Sequence, residues 1–151
     1  PGSFTKSFAE RLDRNSKLTV VEATNGEAVE AGKVYLAPGD QHMLVESANR
    51  GYRIRLNDGP LVCRHRPSVD VLFRSVAQEA RHHALGVILT GMGDDGAQGM
   101  LEMKEMGAFN VAQDESSSVV YGMPKVALAK GGVDQVLTLK DIPELLVQKT
   151  H

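Results

Sequence analysis

Apolar and polar positions follow two different periods along this chain. In the first half, short apolar runs are bounded by glycine, proline and asparagine, and residues 42–46 and 52–56 alternate in character around a turn at 49–51. A period of two is typical of strands, so this part predicts short strands and an antiparallel hairpin. From Ser68 the period becomes helical, because apolar side chains recur on one helix face as far as His83.

Strand and helix patterns alternate through the second half. The predicted order is strand 86–90, helix 97–106, strand 109–112, helix 123–130, strand 133–139 and a C-terminal helix. Such alternation favours βαβ units on a parallel sheet. We therefore predict an α/β fold over residues 1–151. It is a doubly wound, mostly parallel, Rossmann-like three-layer sheet with the hairpin at an edge. A helix carrying Phe4, Phe8 and Leu12 opens the chain with no strand before it.

A glycine-rich turn follows the apolar run 87–89. Its glycines match G-x-G-x-x-G over residues 91–96, the spacing of a dinucleotide-binding turn, and Asp114 lies where an acidic residue would bind a ribose. Asp94 and Asp95, however, would stand beside the bound pyrophosphate. At an effective dielectric of ~20, two like charges ~4 Å apart repel by ~4 kcal/mol. The turn could instead hold an acidic helix cap or present a catalytic carboxylate.

A catalytic carboxylate of the triad type needs a histidine and a nucleophile. His42 is predicted to be a solvated residue at a strand edge, and His65 lies in a connection between Arg64 and Arg66, which could bind an acidic substrate. Cys63 is more typical of a small buried hydrophobe than of a nucleophile. No serine has the G-x-S-x-G context, and no histidine pair has metal-ligand spacing. The residues alone thus give an acid without its partners, and no metal or cofactor site.

Composition narrows the classes of partner. The net charge of −2 gives no electrostatic footprint for nucleic acid, and no apolar stretch approaches the ~20 residues that span a bilayer. With one cysteine and no signal peptide, the chain is expected to be cytoplasmic.

Several long segments resemble the catalytic domain of the chemotaxis methylesterase family, CheB. They are FTKSFAERLD, YLAPGDQHM, RHRPSVDVLF, GVILTGMGDDGAQGM and VVYGMPKVALAKGGVDQVL, in the family's order. The resemblance implies a doubly wound α/β domain. It also implies hydrolysis of glutamate methyl esters, and deamidation of glutamines, on chemoreceptors by a Ser-His-Asp triad.

The resemblance assigns two site residues in this chain. Asp95 corresponds to the triad aspartate, and the amide of Met92 to an oxyanion donor. The family's serine and histidine lie upstream of the proline that Pro1 resembles, so the first βαβ portion is expected to be missing and this chain alone to be inactive. The implied partners are a methylated chemoreceptor and, in the intact protein, its own receiver domain. A nucleotide-binding module using residues 91–96, or a non-catalytic interaction domain, are the alternatives.

Overall fold

A computed structural model describes residues 2–150, with side chains from Phe4 onward, so Pro1 lies outside the described residues. The longest described helix has 13 residues, and none of the described helices is long and apolar enough to cross a membrane. In chain order the elements are α1 (Gly2–Arg14), β1 (Thr19–Glu22), β2 (Lys33–Leu36), β3 (His42–Ala48), β4 (Gly51–Asn57), α2 (Val69–Glu79), β5 (Leu85–Ile88), α3 (Ala97–Glu105), β6 (Phe109–Gln113), α4 (Met123–Lys130), β7 (Gln135–Leu137) and α5 (Ile142–Thr150).

The strands form two parallel sheets and one antiparallel hairpin, which confirms the predicted α/β fold. β1 pairs with β2, and β5, β6 and β7 pair in that order, all in parallel. The hairpin of β3 and β4 turns at Ala48–Gly51, as its alternation predicts, but forms a sheet of its own and does not lie at the edge of a parallel sheet. Within residues 2–150, no strand pairing joins the two parallel sheets.

The opening helix, α1, is fixed to the first parallel sheet by polar contacts. The carboxylate of Asp13 accepts a hydrogen bond from the backbone N–H of Val20 at 2.8 Å, and the hydroxyl of Thr5 accepts one from Gly39 N–H at 2.9 Å. These contacts hold α1 against β1 and beside the end of β2.

Helix α2 connects the hairpin to the rest of the fold. On one side the hydroxyl of Ser75 accepts a hydrogen bond from Val45 N–H of β3 at 2.9 Å. On the other side α3 approaches so closely that a Cβ at Gly99 would lie 2.7 Å from Phe73 Cβ. The apolar stripe predicts a helix as far as His83. The helix α2 instead ends at Glu79, and a 3₁₀ turn follows over Arg81–His83.

The largest core lies between the sheet of β5 to β7 and helices α3 and α4. The helices contribute the buried residues Met100 and Ala127 to this core, and the strands contribute Ile88 and Ala112. Because α3 packs on both this sheet and α2, the segment that joins β5 to α3 is held on two sides.

Candidate active site

The glycine-rich turn, residues 91–96, leaves the C-terminal end of β5. Gly93 and Gly96 both have φ = +99°, a left-handed conformation that strongly favours glycine. The turn is tied to the segment before α4, because the N–H of Gly91 donates to the carbonyl of Val120 at 3.0 Å. It therefore lies at the C-terminal edge of the parallel sheet, where binding and catalytic groups of α/β folds gather.

Asp95 is buried at the end of this turn, with 3% of its surface exposed. Its Oδ1 accepts hydrogen bonds from the Ser68 hydroxyl and from Asp70 N–H, both at 2.9 Å, and its Oδ2 accepts one from Val69 N–H at 2.8 Å. All three donors belong to the start of α2. The carboxylate therefore satisfies donors that the first turn of α2 leaves free, and the positive end of the helix dipole stabilises its charge.

Asp70 makes the reciprocal contact. Its Oδ1 accepts hydrogen bonds from Gly96 N–H at 3.1 Å and Gly99 N–H at 2.8 Å, which are free donors at the start of α3. Asp95 thus caps α2 while Asp70, from α2, caps α3. We call this arrangement the crossed caps. It places two buried carboxylates at two helix N-termini, each satisfied by N–H donors of the other segment.

The crossed caps weigh against a nucleotide at the glycine turn. A pyrophosphate would bind the N–H groups at the start of α3, and Asp70 already occupies two of them. Asp114, which would bind the ribose, is engaged locally. Hydrogen bonds from the Ser117 and Ser116 hydroxyls lower the pKa of its carboxyl. Neither half of the dinucleotide fingerprint is therefore free to take a ligand in this arrangement.

His42 and Ser68 also lie in this buried polar region, each with 2% of its surface exposed. The prediction of a solvated His42 is wrong, because its ring fits between two backbone groups. Nδ1 accepts from Ser68 N–H at 3.1 Å, so the ring proton is on Nε2, which donates to the Pro60 carbonyl at 2.8 Å. The Ser68 hydroxyl donates directly to Asp95. In a triad the histidine lies between serine and aspartate, so this connectivity differs from that of a triad.

Met92 is at the exposed face of the same turn. The residue is 78% exposed, and its backbone N–H has no hydrogen-bond acceptor among residues 2–150. A free, rigidly held N–H is what an oxyanion hole requires. The turn therefore combines an unpaired donor at Met92 with a buried carboxylate three residues later.

Cys63 contacts the crossed caps through Asp70. Its thiol donates a hydrogen bond to Oδ2 of Asp70 at 3.3 Å, and burial, together with Asp70, raises the pKa of the Cys63 thiol to about 11. A protonated thiol is a poor nucleophile and a poor metal ligand. Although ligand atoms of Cys63, Asp70 and Asp95 lie within 4.8 Å of one another, hydrogen bonds already engage all three. This donor set favours hydrogen bonding over cation binding.

The other predicted residues of this connection, Arg64, His65 and Arg66, make no hydrogen bond to Asp95 or Asp70 within the described part of the chain. Arg64 and His65 are exposed. The guanidinium of Arg66 is bonded to the Asp40 carboxylate at 2.9 Å and to the Gly59 carbonyl at 3.1 Å. Arg66 therefore has an acidic partner within the chain, and its role as a receptor for an acidic substrate stays a prediction.

Three polar residues of this region are missed by sequence reasoning: Ser68, Asp70 and His42. A partial signal exists for the first two, because a serine followed two positions later by an aspartate is typical of a helix start. No sequence signal places Ser68 and Asp70 beside Asp95, since their hydrogen bonds to Asp95 join residues 25–27 positions apart.

Comparison with known proteins gives consistent matches. A model of the family described as CheB methylesterase matches residues 1–146. The chain is 56% identical over 147 residues to a protein-glutamate methylesterase/protein-glutamine glutaminase of Pectobacterium atrosepticum, covering 97% of this chain and 42% of that protein. A Rhizobium johnstonii relative with the same description is 58% identical over 142 residues, covering 94% and 39%. The crystal structure of the Thermotoga maritima CheB methylesterase catalytic domain superposes with a TM-score of 0.94 at 41% identity, covering 98% of this chain and 78% of that one. The chain thus spans about two fifths of the length of the curated relatives it matches.

Proposed function

The chain belongs to the CheB methylesterase family, and on that premise we propose that it contributes to hydrolysis of glutamate methyl esters and deamidation of glutamines on chemoreceptors. Its curated relatives carry the description protein-glutamate methylesterase/protein-glutamine glutaminase. Both reactions are acyl transfers to water at a glutamyl carbonyl. They require a nucleophile, a base whose orientation is fixed, and donors for the oxyanion.

The glycine turn is the observation that carries this proposal. It presents the buried carboxylate of Asp95 and the N–H of Met92, unpaired among residues 2–150, from one short segment. We assign Asp95 the role of orienting the catalytic histidine and stabilising the imidazolium that forms. We assign Met92 N–H to the oxyanion of the tetrahedral intermediate.

The serine and the histidine of the triad are proposed to come from a segment outside this chain, so that Asp95 is the only triad residue within it. Three observations support this assignment. The hydroxyl proton of Ser68 is committed to Asp95, and both ring nitrogens of His42 are bonded to backbone groups. The chain also covers 78% of the Thermotoga maritima catalytic domain. In the intact protein, meaning this chain preceded by that segment, the serine would attack the ester carbonyl while the histidine takes its proton. The histidine would then return that proton to the departing methanol, and water would release the glutamate.

The proposed partners follow from the reaction. The substrate is the methylated cytoplasmic region of a chemoreceptor, so the protein would act in the cytoplasm. In the intact protein a receiver domain would be the second partner. No cofactor is needed for acyl transfer by a triad.

Methanol release from methylated receptor tests the proposal. We expect release by the intact protein, none by this chain alone, and a severe loss in intact Asp95→Asn. Asp94→Asn is the matched control, because Asp94 is the neighbouring acid and is exposed. Turnover by the isolated chain would overturn the assignment of the missing triad members. Full activity in Asp95→Asn would overturn the role of Asp95.

A further inference from the structure

We propose that Ser68 is a positioning residue for Asp95 and that Oδ2 of Asp95 is the atom that binds the catalytic histidine. This inference rests on the proposed function, since it concerns how the orienting carboxylate is itself held.

The two oxygens of the Asp95 carboxylate are not equivalent. Each carboxylate oxygen accepts about two hydrogen bonds. Among the described residues, Oδ1 has two donors, the Ser68 hydroxyl and Asp70 N–H, whereas Oδ2 has one, Val69 N–H. One acceptor position therefore stays open, and it is on Oδ2. A histidine N–H that approaches this buried group finds Oδ1 saturated and Oδ2 available.

Ser68 supplies the only side-chain donor among these contacts. The Val69 and Asp70 N–H groups bind one oxygen each, and the Ser68 hydroxyl adds a second hydrogen bond to Oδ1, which further restrains rotation of the carboxylate about χ2. Rotation would carry Oδ2 away from the position in which a fixed imidazole meets it. Hydrogen bonds to a carboxylate are roughly twice as strong as those between neutral groups, which suits a positioning role.

The backbone of Ser68 is itself held by His42. The ring of His42 accepts its N–H at 3.1 Å and is held in turn by the Pro60 carbonyl at 2.8 Å. The Ser68 hydroxyl also accepts a weak hydrogen bond from Val71 N–H at 3.4 Å as the N-cap of α2. A continuous series of hydrogen bonds, buried from His42 onward, therefore runs from the Pro60 carbonyl through His42 and Ser68 to the carboxylate.

Removing the hydroxyl should lower kcat with little change in KM, because Ser68 is 2% exposed and its hydroxyl donates to Asp95. We expect Ser68→Ala in the intact protein to lose roughly 10- to 100-fold in kcat, the range typical of a small misplacement of a catalytic group. Ser68→Thr keeps a hydroxyl at the cap and should restore most of that loss. Ser68→Gly removes the hydroxyl but retains good helix capping, so it replaces Ser68→Ala if that variant folds poorly.

Ser75→Ala is the matched control. Ser75 is a buried serine on the same helix whose hydroxyl bonds to Val45 N–H and the Leu72 carbonyl, away from Asp95. It should lose stability but keep kcat. An equal kcat in Ser68→Ala, Ser68→Gly and the parent would overturn the positioning role, as would an equal loss in Ser75→Ala. An equal loss in Ser68→Thr would do the same.

A second measurement separates this inference from the proposed function. In the isolated chain, the losses in unfolding free energy for Ser68→Ala and Asp95→Asn should be non-additive, since the two groups share one hydrogen bond. Strict additivity would overturn the contact on which the inference depends. If the intact parent released no methanol while the coupling was present, the proposed function would fail and the positioning role would fall with it. An active parent with an unaffected Ser68→Ala would defeat the positioning role alone.

Discussion

Replacing Asp95 by asparagine tests the crossed caps directly, because the change removes a charge and exchanges one acceptor for a donor without altering shape. The carboxylate accepts three hydrogen bonds from the start of α2. If the asparagine carbonyl takes the Oδ1 position, its NH₂ group faces Val69 N–H. If the amide is reversed, the NH₂ group faces Asp70 N–H and the Ser68 hydroxyl. Either orientation leaves a buried N–H opposed to another donor.

The size of the effect follows from these contacts. A hydrogen bond to a charged group contributes about 1.5–3 kcal/mol, and a buried donor left unsatisfied costs about 1–3 kcal/mol. Loss of the charge at the helix N-terminus adds roughly 0.3–1 kcal/mol. Relief of the desolvation of a buried carboxylate offsets part of this sum. We therefore expect Asp95→Asn to lower the unfolding free energy by about 2–4 kcal/mol, which corresponds to a fall in Tm of roughly 6–12 °C for a chain of this size.

Urea unfolding of this chain, followed by circular dichroism, measures the difference. Asp94→Asn is the control, because Asp94 is exposed in the same turn and surface substitutions usually stay within ~0.5 kcal/mol. If Asp95→Asn and Asp94→Asn unfold at the same urea concentration, the carboxylate does not cap α2 and the crossed caps are refuted. A large loss in Asp95→Asn would also mean that its effect on activity must be measured under conditions where the variant is folded.

Three further predictions concern the neighbourhood of this site. Gly99→Ala should destabilise the chain by about 1–3 kcal/mol, because the new Cβ would lie 2.7 Å from a Cβ of α2. Gly51→Ala, with nothing within 4 Å, is its control, and equal stabilities in thermal melts would contradict the close helix contact. Cys63, whose pKa is raised by burial to about 11, should react slowly with iodoacetamide at pH 8 and faster as the pH nears 11; rapid reaction at pH 8 would oppose this. Since its folded pKa exceeds the unfolded one, its stabilising contribution is full below the unfolded pKa and is lost as the pH rises through about 11. The pKa shift of Asp114 has the opposite sign, because hydroxyl donors lower the pKa of its carboxyl. Its contribution to stability is therefore present above the ordinary pKa of an aspartate and is lost as the pH falls through the folded value. Asp114→Asn should therefore show a weaker loss of stability in acid, and an unchanged acid dependence in urea unfolding would contradict this.

Patterns local in sequence predicted the elements well. The helices predicted at 97–106 and 123–130 are α3 and α4 almost to the residue, and the hairpin turns where its alternation indicates. Periodicity, glycine caps and turn residues act within a few positions of one another, so they can be found in one sequence. The division of the strands into separate sheets could not be found in this way, because strand pairing depends on contacts between distant segments.

The candidate site was predictable only in part for the same reason. Asp95 is marked by its glycine turn, whereas Ser68 looks like an ordinary helix cap and His42 like a polar strand residue. Their burial depends on where α2 packs. Once α2 lies against α3, the start of α2 faces the glycine turn, and every polar group there must find a partner within the protein.

Gly96 of the predicted nucleotide fingerprint, together with Gly99 of α3, has a different physical role in the crossed caps. A Cβ at Gly96 would lie 2.9 Å from Cγ1 of Val69 and 3.0 Å from Cδ1 of Ile88, and a Cβ at Gly99 would lie 3.1 Å from Oδ1 of Asp70. Larger residues at these two positions would push α3 away from α2 and lengthen both sets of hydrogen bonds. Glycine spacing therefore serves the close approach of two helix N-termini to carboxylates of the protein itself. A phosphate could enter only by displacing Asp70 and leaving that carboxylate buried without its donors, which is costly. At the start of α3, where a dinucleotide-binding turn would admit a pyrophosphate, small residues here admit Asp70, and with it a fixed orientation for Asp95.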